Sequence, residues 1–156
     1  MVESKGEIIR YRRSRFSAKL RADLRYTPGH CWLEPGPSGS WRVGYTRFAQ
    51  RMLGELVEFE LKQASGSSVS LGQSIGWIEG FKALSDIYAA ATGAIVGSNP
   101  ELDRDITLFD RDGLEGTWLY AIEGEPDPNS MDVHGYIGIL DTTIDQMLAE
   151  QGQPPR

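Results

Sequence analysis

Short apolar runs, broken by glycine and polar turns, dominate the chain from Tyr26 onward. Cys31-Trp32-Leu33 reads as a strand, the stretch PGPSGS at 35–40 as a turn, and Trp41, Val43 and Tyr45 alternate with Arg42 and Gly44 in a second strand. Over Arg47–Leu53 the residues Phe48, Met52 and Leu53 share a helical face, with Gly54 placed to cap the C-terminus. Val57, Phe59 and Leu61 alternate with Glu58 and Glu60, the cleanest half-buried strand of the chain. Further strands are predicted through Val69 and Leu71, at 74–80 (SIGWIEG), over Ser85–Ala91, Ala94–Val96 and Thr117–Ile122, with a polar, acidic loop and one helical turn at 99–116. Ile137, Leu140, Ile144, Met147 and Leu148 then recur at helical spacing, so the chain ends in an amphipathic helix.

Many short strands, Gly-rich turns and two small helices predict a mainly β fold, a small antiparallel barrel or sandwich. The organisation expected is a basic N-terminal arm over 1–25, a compact domain over 26–123, a linker at 124–130 and a helix over 131–150 packing back on the domain.

The net charge of −6 conceals an asymmetry: residues 1–25 hold eight Lys/Arg against three acids, and the remainder eight against nineteen. An acidic body repels phosphates, so nucleic-acid binding is discounted and the basic head reads as a solvated or docking arm. A lone cysteine, Cys31, forms neither a disulfide framework nor a thiolate zinc cluster. No apolar run approaches the roughly 20 residues of a membrane helix, and no secretory core follows Met1; a cytoplasmic, monomeric protein is expected. His30 and His134 lack a carboxylate cluster at ligand spacing, and no nucleophile–base pair or phosphate loop points to an autonomous enzyme.

Between Arg51 and Arg104 the only basic residues are Lys62 and Lys82. Lys82 lies between two strand candidates, with Gly80 before it and Ser85-Asp86 after it as turn formers. The expected geometry is a hairpin with Lys82 at its tip, where an enzyme reaches the amine and an attached arm swings freely. Spacing alone leaves open an ordinary surface lysine.

The residues around it carry a resemblance. Tyr26-Thr27-Pro28-Gly29-His30-Cys31-Trp32, then Val43-Gly44-Tyr45-Thr46 and Leu53-Gly54-Glu55-Leu56-Val57, are similar to successive blocks of the H protein of the glycine cleavage system. Glu79-Gly80-Phe81-Lys82-Ala83-Leu84-Ser85-Asp86-Ile87-Tyr88-Ala89 resembles that family's Glu-Ser-Val-Lys-x-x-Ser-Asp-Ile-Tyr-Ala, with Lys82 at the lipoylated position. Gly116-Thr117-Trp118-Leu119 resembles its Gly-Trp-Leu close. The resemblance implies a hybrid barrel-sandwich of the lipoyl/biotinyl-carrier type over 26–123 and lipoate bound covalently to Lys82. It implies a carrier, not a catalyst, that passes an aminomethyl group from glycine decarboxylase to aminomethyltransferase and is reoxidised by dihydrolipoamide dehydrogenase. A lipoate ligase or lipoyl transferase loads it. Phe81 and Ala83, rather than methionines, flank Lys82, which disfavours biotin.

Departures bear on the site. Cys31 stands where the family has a glutamate lining the cleft of the loaded arm; it is either a small buried hydrophobe or a thiol able to exchange with the dithiolane. Gly80-Phe81 replaces Ser-Val, Ala90 replaces a proline, and the acidic loop Asp110–Glu115 replaces a Pro-Tyr. Asp86 either orients the arm, is read by the loading enzyme, or stabilises a turn; Glu79 is a recognition point or a solvent-facing strand residue. Two alternatives stay open: an H-like carrier of another pathway such as sulfur oxidation, and a scaffold module that is never lipoylated.

Overall fold

The computed structural model describes residues 6–110 and 116–152. In chain order, β1 (Ile8–Arg13), β2 (Phe16–Arg21), β3 (Arg25–Tyr26), β4 (Cys31–Pro35) and β5 (Ser40–Tyr45) lead to the helix α1 (Arg47–Leu53). There follow β6 (Leu56–Leu61), β7 (Ser68–Val69), β8 (Ser74–Gly80), β9 (Leu84–Tyr88) and β10 (Ala91–Ser98), the short helix α2 (Pro100–Arg104), β11 (Tyr120–Pro126) and the helix α3 (Val133–Glu150).

Two open sheets form the body. One has the order β3-β4-β5-β11-β10-β7, the other β6-β8-β9. Their inner residues meet in one core: Leu33 and Val43 from the first sheet, Leu56, Ile78 and Ile87 from the second, and Ile95 and Ile122 are all at most 6% exposed. A core shared by two facing sheets is a sandwich, as the mainly β pattern predicted.

Local chemistry sets the elements. Thr46 caps α1 by accepting from the amide of Ala49, and Gly54 ends it at φ 82°. Phe48 and Leu53 are buried as the helical pattern requires, whereas Met52 is 48% exposed. In β6 an irregularity between Leu56 and Glu58 leaves Val57 outside the paired register and exposed, so the alternation read at 57–61 holds only from Phe59 onward. The predicted final strand lies further on, continuing through Glu123–Pro126 against β10.

Within the expected basic arm, residues 8–21 form a hairpin: β1 and β2 pair from Ile8↔Arg21 to Arg13↔Phe16 around the turn Ser14-Arg15. Tyr11, Phe16, Ala18 and Leu20 point inward, while Arg10, Arg12, Ser17 and Lys19 face solvent. The inner face joins α3 and the far side of β3–β4 in a second core with Tyr26, Trp32, Phe48, Tyr136, Leu140 and Ile144. Asp132 caps α3, accepting from the amide of Gly135 at 2.9 Å. Arg13 joins the hairpin to α3 through Asp145 at 2.8 Å and Asp141 at 3.3 Å. Tyr26 stacks on Tyr136 with centroids 4.7 Å apart, tying α3 to the sandwich.

Candidate functional site

Lys82 sits in the tight connection between β8 and β9, with its side chain exposed. The amide of Gly80 donates to the carbonyl of Ala83 at 2.9 Å and closes the turn. The end of α1 braces it from beneath: the Lys82 amide donates to Leu53 O at 3.0 Å and the Phe81 amide to Glu55 O at 3.0 Å. The Lys82 ammonium donates to Arg51 O at 3.3 Å, a carbonyl at the electronegative end of α1. Close approach explains the glycine before it: a Cβ on Gly80 would fall 2.2 Å from Leu53 O. The amine therefore stands on a fixed tip, with no carboxylate bridged to it among the described residues.

The tip is unusually apolar. Phe81 is 76% exposed and Leu84 71% exposed beside Lys82. Glu79 pairs with Leu84 across the hairpin and Asp86 with Trp77, so both acids share its outer, solvent face with Trp77 and Tyr88. Exposed apolar groups rimmed by acids suit transient docking of a macromolecular partner.

Asp86 also borders a groove of about 560 Å³ that runs from the tip toward β4, with Cys31, Tyr45, Ala83, Tyr88 and Asp127 on its walls. Cys31 and Asp86, distant in sequence, thus meet in one groove; Glu79 stays outside it. Burial pushes the Cys31 thiol up to about 12, with Asp127 adding to the shift, so the sulfur is protonated at neutral pH. His30 lines the same groove, packs on Phe48 and shares a 2.8 Å hydrogen bond with the Tyr136 hydroxyl. Burial lowers His30 to about 4, so it brings no positive charge there at neutral pH. Asp127 was missed in the sequence because it lies in a Pro- and Asp-rich turn, where such residues are ordinary. No group of His, Cys, Asp and Glu able to hold a metal occurs among the described residues. Of the loop Asp110–Glu115, only Asp110 falls within the described residues.

An amine on a rigid β-tip beside an elongated groove can be acylated and can lay its arm down between encounters; neither feature supplies a nucleophile–base pair. Residues 24–134 match the family model of the glycine cleavage H-protein. The glycine cleavage system H protein of Pseudoalteromonas atlantica is 37% identical over 108 residues, covering 69% of this chain and 83% of its own. That of Micrococcus luteus is 40% identical over 100 residues, covering 64% and 77%. The crystal structure of a glycine cleavage system H protein from Mycobacterium marinum matches with a TM-score of 0.65 at 33% identity, over 75% of this chain and 95% of that one.

Proposed function

The chain belongs to the glycine cleavage H-protein family, and we propose that it is a lipoyl carrier whose arm is attached to Lys82 and serves the glycine cleavage enzymes. The observation that carries this is the exposed Lys82 amine on a hairpin tip fixed by Leu53 O and Glu55 O. A braced tip presents the same amine to each enzyme, and a tethered arm supplies a high local concentration at every docked partner. When attached, lipoate supplies a reducible dithiolane that exchanges with thiols. The protein itself contributes position, not catalysis. No helix among the described residues is long and apolar enough to cross a membrane.

The groove bears on the cargo. Position 31 lacks a carboxylate, yet Asp86 and Asp127 stand in the same groove. Two acids beside a neutral His30 form a negative berth, suited to a cationic amine at the end of the arm. That supports an aminomethyl cargo and, with it, glycine decarboxylase, aminomethyltransferase and dihydrolipoamide dehydrogenase as partners, after loading by a lipoate ligase or lipoyl transferase. Glu79 and Asp86, on the outer face of the hairpin, are the residues we assign to recognition by the loading enzyme.

Intact mass spectrometry of protein made in a lipoate-competent host tests the attachment. One lipoyl or octanoyl increment, lost in Lys82→Arg, is expected; an unmodified chain beside an active ligase would leave a scaffold module. Reconstituted glycine decarboxylation with the lipoylated protein then separates glycine cleavage from another lipoyl-dependent pathway.

A further inference from the structure

A second groove, of about 410 Å³, opens on the other side of Lys82. Its floor is apolar, made by Phe16 of the hairpin, Phe48 and Met52 of α1, and Ile144, Met147 and Leu148 of α3. Its rim carries Arg13, Arg15 and Arg51, and no acidic side chain lines it. Lys82 itself forms part of the wall. Two of the three walls lie beyond the bounds of the family-model match: β1–β2 precedes residue 24, and all of α3 but Val133 and His134 follows residue 134.

On the premise that Lys82 is lipoylated, we propose that this groove is a resting berth for the uncharged lipoyl arm, distinct from the acidic groove on the Asp86 side. The geometry of the tether favours it. Lys82 Nζ already donates to Arg51 O at 3.3 Å at the groove's edge. An acylated Nζ keeps one N–H, so the same bond can hold the amide and send the alkyl chain over Met52 toward Met147. The ligand class fits as well: a neutral alkyl chain ending in two sulfurs matches a floor of aromatic rings and thioethers. Charge separates the two berths. Arg13 is paired with Asp141 and Asp145, but Arg15 and Arg51 repel a cationic cargo, while Asp86 and Asp127 attract it. Phe48 and Met52 border both grooves, so α1 is the ridge the arm crosses between an empty and a loaded state.

The test uses full-length protein labelled at the methionine methyl groups, with lipoylation confirmed first by intact mass. Met147 lines only the Arg-rimmed groove, Met52 borders both, and Met131 borders neither. In the lipoylated chain the Met147 methyl resonance is expected to move relative to the unmodified chain and to show Overhauser contacts with the dithiolane protons, while Met131 stays put. Reduction of the dithiolane by a water-soluble phosphine is expected to be several-fold faster in Met147→Glu and unchanged in Tyr88→Glu. A lipoylated chain with an unmoved Met147 and arm contacts confined to Tyr88 and Ala89, or with no protein contacts at all, overturns the berth but not the carrier. A chain that takes no lipoate overturns both.

Discussion

The backbone amide of Lys82 donates to the carbonyl of Leu53 at 3.0 Å, so the β8–β9 tip and the end of α1 move as one body. Gly80 makes this approach possible, since any side chain there enters the space of that carbonyl. Gly80→Ala is therefore expected to push the tip off α1. Such overpacking costs about 1–3 kcal/mol, which lowers Tm by roughly 3–10 °C for a domain of this size. Thermal unfolding followed by circular dichroism measures it, and a Tm within one degree of the parent would contradict the bracing.

The tip and its support were legible in the sequence because each signal was local. Gly54 stops α1 at φ 82° and Thr46 starts it, so the helix bounds read from the pattern agree with the structure. The N-terminal hairpin was not legible, although Phe16, Ala18 and Leu20 do alternate with Ser17 and Lys19. Ala18 is a weak apolar signal, Arg12-Arg13 blurs the partner strand, and the turn uses Ser14 at φ 55° in place of a glycine. Gly124 and Glu125 read as linker because pairing with β10 is a tertiary preference that overrides composition. At the site, Lys82, Asp86 and Cys31 were named from the sequence, whereas Asp127 and the Arg-rimmed groove depend on contacts between elements far apart in the chain.

Arg21 holds the base of the N-terminal hairpin. Its side chain is 9% exposed, and its guanidinium donates to Asp23 at 2.7 Å and Glu34 at 2.9 Å. Tyr26 adds its hydroxyl between the Arg21 amide and carbonyl, each at 3.0 Å. Arg21→Met keeps the buried stem and removes the charge. Asp23 and Glu34 are about 30% exposed and regain water, so the expected loss is about 1–3 kcal/mol, below that for a fully buried pair. Urea unfolding should show a lower midpoint with an unchanged m-value; an unchanged midpoint would mean the pair contributes nothing net.

Cys31 should behave as an inert thiol. With its ionisation pushed up to about 12, the thiolate fraction at pH 8 falls far below that of the unfolded chain. Alkylation by iodoacetamide in native buffer is expected to run at least about a hundredfold slower than in denaturant. The same protonation argues against exchange between Cys31 and a neighbouring dithiolane. Native alkylation at the denatured rate would restore that exchange as a possibility.

His30 makes stability depend on pH in a defined window. Its folded value of about 4 lies below the ordinary 6.5, because burial against Phe48 and Tyr136 penalises the imidazolium. Between those values the unfolded chain binds the extra proton and the folded chain does not, so stability rises with pH across the window. The contribution is complete above about pH 6.5 and is lost as the pH falls toward 4. The ring is partly exposed, so the loss is about 2 kcal/mol rather than the full value of the shift. His30→Gln removes the titrating group, leaves a hydrogen-bonding side chain for the Tyr136 hydroxyl, and should flatten that part of the profile. Urea midpoints for parent and variant from pH 7.5 to 4.5 check it: curves that stay parallel would show that other groups carry the acid sensitivity.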